Sequence, residues 1–251
     1  MKLKISDAVT KVISGSDLVL CVLDARYIYD TRNAPIENKI KEQNKKVLYV
    51  LNKADLVQNI DQKELNELYP RVLVSCLTRK GVNELRSRIK IICKTIKKEP
   101  PFYIGVVGYP NTGKSSVINL IIGRKDVAKT SPKSGFTKGI QSLKLSDEIY
   151  LLDTPGIIPE SERFSEITKL AKIGVKTFDN VEDPDMVIYE LMKLNPGVFE
   201  KFYGIDAKGD SEKLIEEFGK KRNLLLSRFR IDTDRAARMI LRDWQKGLIK
   251  V

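Results

Sequence analysis

The sequence contains no histidine. That excludes a histidine general base, a histidine metal ligand and any Ser-His or Cys-His nucleophile pair. Cysteine is nearly as scarce: Cys21, Cys76 and Cys93 are odd in number and widely spaced. They form neither a disulfide framework nor a zinc pattern, so they read as buried small hydrophobes. No apolar run approaches the ~18 residues of a membrane span. The segment Met1-Lys2-Leu3-Lys4-Ile5-Ser6-Asp7 lacks the apolar stretch of a secretory signal. These absences argue for a cytoplasmic chain with no membrane partner.

What is present bounds the answer further. The 251 residues, 42% of them apolar, suffice for one large domain and a small accessory unit. The net charge of +12 suggests a polyanionic partner. A Lys-rich surface suited to high temperature is the second reading, and nucleic acid is favoured over it.

The apolar runs Asp17–Asp24, Val47–Leu51, Val72–Val74, Phe102–Val107 and Ile149–Leu152 are nearly continuous, as in parallel strands covered on both faces. Helical patterns near 4–14, 35–44, 61–68, 81–97 and 114–123 surround or separate them. The expected fold class is α/β, a mostly parallel, doubly wound sheet with functional residues at the carboxyl ends of its strands. Lys97-Lys98-Glu99-Pro100-Pro101 reads as a linker. After about residue 160 strand-like runs vanish, and helix starts appear at Asp183-Pro184-Asp185, at Ser211 and near 233. The expected division is an α/β domain over 1–160 and a small all-helical domain over 161–251.

Three motifs follow strand-like runs, in an unusual order. Gly108-Tyr109-Pro110-Asn111-Thr112-Gly113-Lys114-Ser115 fits the phosphate-binding loop G-x-x-x-x-G-K-[ST]. Its glycines let backbone N–H groups wrap an anion, Lys114 reaches the β- and γ-phosphates, and Ser115 ligates Mg²⁺. The residues from Asn111 to Ser116, Thr112, Gly113 and Ser116 included, form the phosphate cradle. The preceding strand and following helix separate this match from a chance one. Asp153-Thr154-Pro155-Gly156 comes next. Asp153 is assigned to the Mg²⁺ shell and Gly156 N–H to the γ-phosphate. Asp206-Ala207-Lys208-Gly209 fits the same bare pattern but has no strand before it, and reads as a turn.

Asn52-Lys53-Ala54-Asp55 has the form of a guanine-reading motif. Asp55 can accept from guanine N1–H and the 2-amino group, which adenine does not present in that arrangement. Asn52 would tie this loop to the phosphate loop, Lys53 would pack along the base plane, and Ser75-Cys76 would offer backbone N–H groups to guanine O6. In an ordinary small GTPase the base-reading motif comes last. Here it comes first, so the order is that of a circularly permuted P-loop GTPase domain. Between phosphate loop and Asp153, the polar stretch Ser131–Gly139 suits a mobile switch. Thr137 is its candidate Mg²⁺ and γ-phosphate sensor, with Thr130 the runner-up.

The chain resembles the circularly permuted ribosome-assembly GTPases of the YlqF/RbgA group. The resemblance rests on Asp24-Ala25-Arg26, the Pro-Asn-x-Gly-Lys-Ser loop and Asp-Thr-Pro-Gly. It rests also on Phe199-x-x-Phe202-Tyr203-Gly204, Phe218-Gly219-x-Lys221-Arg222 and Ala236-Ala237-x-x-Ile240-Leu241-x-Asp243. It implies GTP hydrolysis with Mg²⁺, coupled to maturation of the large ribosomal subunit, with the helical domain on ribosomal RNA, no DNA partner and a monomeric chain. The motif assignments make Lys114, Thr137 and Gly156 the expected catalytic set. The family's histidine-containing N-terminal segment is unmatched, Ser134-Gly135 stands for its Pro-Gly, and the proline after its DAR signature is missing. Ile157 stands where many GTPases place a water-orienting glutamine, which predicts low intrinsic turnover. Asn111 matches the asparagine that helps hold K⁺ in potassium-stimulated relatives; a loop hydrogen bond is its other reading. Two alternatives stay open: a nucleotide-gated RNA-binding module whose slow hydrolysis is a timer, and a GTPase acting on another RNA. The stretch 219–250 carries ten Lys/Arg against three Asp, which suits RNA phosphates.

Overall fold

The computed structural model describes residues 7–58, 60, 62–123, 141–153, 174, 177–227 and 230–250. The chain divides into two compact units, Met1–Arg163 and Phe164–Val251.

The first unit is built on a six-stranded sheet. Its strands are β1 (Leu18–Asp24), β2 (Lys46–Asn52), β3 (Arg71–Leu73), β4 (Phe102–Val107), β5 (Gln141–Lys144) and β6 (Ile149–Asp153), in the spatial order β3-β2-β1-β4-β6-β5. All neighbours are parallel except β5 and β6, which pair Gln141 with Asp153 and Lys144 with Tyr150 antiparallel. The sequence pattern gives no sign of β5. Gln-Ser-Leu-Lys is short and polar, as an edge strand with one pairing partner can be.

The continuous apolar runs have a physical cause in this sheet. On β1, Leu18, Leu20 and Val22 enter one core with Leu48, Val50, Ile104, Val106 and Leu151, under α5 (Val82–Lys94) and α6 (Lys114–Ile122). Val19, Cys21 and Leu23 enter a second core on the opposite face. There they meet Val9 and Ile13 of α1 (Asp7–Gly15), Ile28 of α2 (Ile28–Thr31), Ile36 and Ile40 of α3 (Ala34–Glu42) and Leu65 of α4 (Gln62–Asn66). Alternate residues of one strand thus fill two cores, so no position is left for a polar residue. Arg86 ties α5 to α6 by donating to the Leu120 and Ile121 carbonyls at 3.2 and 2.9 Å. Those carbonyls belong to the last turn of α6, where a cation also meets the negative end of the helix dipole. All three cysteines are free thiols. Burial pushes the Cys93 thiol up to about 11.

The second unit is helical among its described residues: α7 (Pro184–Leu194), α8 (Val198–Tyr203), α9 (Ser211–Lys221) and α10 (Thr233–Gln245). Asp183 caps α7, accepting from Met186 N–H at 3.2 Å. At α9 the cap is Asp210, which accepts from Lys213 N–H at 3.1 Å, and the helix starts at Ser211 as expected. Asp232 caps α10. Trp244 and Phe199 are fully buried and stack at 5.2 Å, and Tyr203 packs edge-on against Phe218 at 4.8 Å. A bridge between Leu225 and Ile231 is the extended pairing described here. Asp206 lies in the loop between α8 and α9.

Candidate nucleotide site

The chain runs from β1 outward through β2 to β3, then returns to β4 on the other side of β1. The switch point therefore lies between β1 and β4, and a crevice opens at their carboxyl ends. Residues 108–113 leave β4 there and enter α6. Gly113 stands at φ +93°, and a Cβ on it would collide with Asn52 Nδ2; one on Gly108 would collide with the Val22 carbonyl. Asn111 is held at φ +62° in the left-handed region, a strain that concentrates at functional loops. Inside the loop, the Tyr109 carbonyl accepts from Thr112 Oγ1 at 2.9 Å and from Lys114 Nζ at 2.8 Å. Lys114 is buried, while Ser115 and Ser116 are exposed on the first turn of α6. No side chain caps that turn and no acid stands in it, which leaves its N–H groups to an anion.

The second loop follows β2. Asn52 is 2% exposed. Its Nδ2 donates to the Thr112 carbonyl at 2.8 Å, and its Oδ1 accepts from Cys76 N–H at 3.4 Å. One buried amide thus joins three loops, the tie anticipated between the base-reading and phosphate loops. Ser75 Oγ accepts from Thr78 N–H at 3.0 Å, closing the third loop after β3. The Cys76 N–H anticipated for guanine O6 has an acceptor in Asn52, at a length near the limit of a hydrogen bond. Burial, with the Asp55 carboxylate beside it, pushes the Cys76 thiol up to about 11. Asp55 is half-buried in the turn Ala54–Leu56.

Sequence reasoning missed what holds Lys53. This residue stands at φ +63°, and its Nζ donates to Asp24 Oδ2 at 2.7 Å. Asp24, the last residue of β1, lies opposite Asn52 in the register. It also accepts from Arg26 N–H at 3.1 Å, Arg26 Nε at 3.0 Å and Arg26 Nη2 at 2.9 Å. Both the Asp24 and Arg26 side chains are 1% exposed. Burial alone would raise the Asp24 pKa, but the Arg26 guanidinium and Lys53 ammonium outweigh it and hold the carboxyl below its ordinary range. The DAR triplet is thus the anchor of Lys53. Its signal in sequence was an acid ending a buried strand with a cation two residues on.

On the other side, Asp153 ends β6, the strand next to β4. Thr137, its runner-up Thr130, Gly156 and Ile157 lie outside the described residues. Among the described residues no group of three or more His, Cys, Asp or Glu could hold a metal. The exposed hydroxyl of Ser115 on the first turn of α6 suits Mg²⁺ instead, which keeps waters and takes phosphate oxygens rather than a full protein cage. The residues fit that ion.

Fold and loops together define a P-loop nucleotide-binding domain whose base-reading half precedes its phosphate-binding half. A family model described as 50S ribosome-binding GTPase matches residues 103–226, beginning at the strand before the phosphate loop. An uncharacterized GTP-binding protein of Methanocaldococcus jannaschii is 35% identical over 98% of this chain and 66% of its own length. Nucleolar GTP-binding protein 2 of Saccharomyces cerevisiae is 32% identical over 95% of this chain and 51% of its own. The chain therefore spans two thirds or less of these relatives. A GDP-bound YlqF structure is 25% identical with a TM-score of 0.60, covering 92% of this chain and 90% of that one. The chain belongs to the circularly permuted GTPases of the YlqF type.

Proposed function

We propose that this protein binds GTP with Mg²⁺, hydrolyses it to GDP and phosphate, and couples that cycle to assembly of the large ribosomal subunit. The observation that carries the nucleotide reading is the Asn52 bond to the Thr112 carbonyl. It fixes the base-reading and phosphate-reading loops in one register, so that one nucleotide spans both.

Asp55 accepts from the guanine edge, Lys53 flanks the base from its seat on Asp24, and the 111–116 loop holds the phosphates. On binding, Lys114 exchanges its Tyr109 carbonyl for phosphate oxygens. Ser115, with Asp153 through a water, would hold Mg²⁺, which would neutralise charge on the phosphates. Thr137 and Gly156 sense the γ-phosphate, and Asn111 would help hold a K⁺ that would add positive charge beside it. Equal single-turnover rates in K⁺ and Na⁺ would remove the K⁺ role. Ile157 cannot orient water by hydrogen bonding, so intrinsic turnover is low and a partner raises it.

The segment 161–251 serves as the ribosomal-RNA arm, in a cytoplasmic monomer that does not bind DNA. Among the described residues no helix is long and apolar enough to cross a membrane. The test is GTP turnover with and without purified large subunits. Stimulation is expected; unchanged slow turnover beside tight RNA binding would favour the nucleotide-gated timer instead.

A further inference from the structure

The segment between residues 79 and 98 holds eight Lys/Arg against one Glu, a surplus of seven in a chain whose net charge is +12. It belongs to the nucleotide-binding unit, not to the helical one. Two of the eight are engaged: Arg86 on the α6 carbonyls and Lys98 on Asp17 at 2.8 Å. The side chains of Arg79, Lys80, Arg88, Lys90, Lys94 and Lys97 have no ion-pair or hydrogen-bond partner among the described residues.

The basic stretch 219–250 is different. There Lys220 pairs with Glu217, Lys221 donates to the Tyr203 carbonyl, and Arg242 pairs with Asp243. Arg238 pairs with Asp234 and also donates to three backbone carbonyls. Four of the ten cations there are thus engaged inside the unit, while Arg222, Arg230, Arg235, Lys246 and Lys250 keep side chains without an ion-pair or hydrogen-bond partner among the described residues.

On α5, Lys90 and Lys94 stand on one exposed face. Lys90 and Lys94 are a helical turn apart, and Lys97 follows in the turn after the helix; all three are exposed. A separate face, Leu85, Ile89 and Cys93, is buried in the core. We infer that the exposed face of α5 is a second contact surface for the phosphate backbone of RNA, on the nucleotide-binding unit itself. This rests on the RNA-partner reading above.

The chemistry selects RNA over other polyanions. A helix that lies on a lipid surface needs a free apolar face to insert, and the apolar face of α5 is used by the fold. A protein interface concentrates aromatic residues and disfavours lysine at its centre, whereas this face offers lysine and one exposed aliphatic, Ile91. Evenly placed, unpaired ammonium groups are what counterion release from a nucleic-acid backbone requires.

The test is binding of purified large-subunit ribosomal RNA as a function of salt, with the Lys90→Gln, Lys94→Gln, Lys97→Gln triple variant. Each lost phosphate contact lowers the log–log salt slope by about 0.7–0.9, so the expected fall is about 2–3, with affinity at ~0.1 M salt down at least tenfold. Nucleotide affinity should be unchanged, and the corresponding triple Lys→Arg variant should keep the parental slope. An unchanged slope in the Gln variant, beside clear parental binding, overturns the α5 surface and leaves the RNA reading standing. No salt-dependent RNA binding by the parent overturns both. Loss confined to phosphatidylserine vesicles, with RNA binding intact, assigns the face to lipid and overturns it as well.

Discussion

In the unit of residues 1–163, Asp24, Asn52, Ser75, Thr112 and Lys114 are all buried and lie at or beyond the carboxyl ends of adjacent strands. Among the described residues of the unit 164–251 the buried polar ones are Ser211 and Asp243, and Trp244, Phe199 and Phe218 are buried apolar anchors. Each buried polar group must find partners or lose roughly 1–3 kcal/mol. The first unit meets that cost with a network of fixed geometry, which is what preorganised recognition needs. Among its described residues the second buries few such groups and packs aromatic rings instead. One unit is built as a site, the other as a scaffold for a surface.

The comparison can be broken from either side. Trp244→Ala removes the largest fully buried side chain of the second unit and should cost about 3–5 kcal/mol. Denaturant unfolding followed by circular dichroism reads the loss, while guanine-nucleotide affinity stays at the parental value. A fall in that affinity would show that the units are not energetically separate.

Asp24→Ala leaves the Arg26 guanidinium buried without its carboxylate, and about 3–5 kcal/mol should go from the first unit. Here stability and nucleotide affinity fall together, because Lys53 loses its seat. The folded Asp24 carboxyl lies below its ordinary range. Its contribution is therefore complete above the unfolded pKa near 4 and is lost as pH falls through the lower folded value. Asp24→Asn should flatten that part of the acid limb in a pH series of unfolding midpoints. An unaltered limb would contradict the assigned charge state.

Asn52→Ala should be smaller for stability, about 1–3 kcal/mol for the buried Thr112 carbonyl left without its donor. The thermal midpoint and the nucleotide dissociation rate report it. At the bottom of the scale, Lys39→Ala breaks the exposed pair with Glu42 at 3.5 Å and should change stability by no more than about 0.5 kcal/mol. A larger loss on the same thermal scan would mean that surface charge holds this unit after all.

The parts legible in sequence share a cause. Strands β1, β2 and β4 announce themselves because both faces are buried, so apolar residues run without interruption. The phosphate loop is legible because its glycines answer steric demands: Gly113 abuts Asn52 Nδ2, where any Cβ would collide. Strand β5 was not legible, since its polar sequence looks like a loop until a partner strand is supplied. Nor was the Asp24–Lys53 pair, which joins residues far apart in sequence through the β1–β2 register. The engagement of Arg238 and Lys221 was hidden for the same reason. A count of charges cannot tell a cation aimed at solvent from one folded back on a carbonyl, and that difference sets an unpaired basic face on α5 beside the one in the C-terminal stretch.

The central claim is that one guanine nucleotide spans the Asn52–Asp55 and Asn111–Ser116 loops, with Asp55 reading the base. Calorimetric titration of the protein and of Asp55→Asn with GDP, ADP and XDP tests it most directly. The account predicts tight GDP binding by the parent and ADP weaker by on the order of 10³-fold or more. In Asp55→Asn the preference should pass from GDP to XDP, because the new amide can donate to the oxygen that xanthine carries in place of the 2-amino group. Equal affinity of the parent for GDP and ADP, or a variant that still prefers GDP, would contradict it.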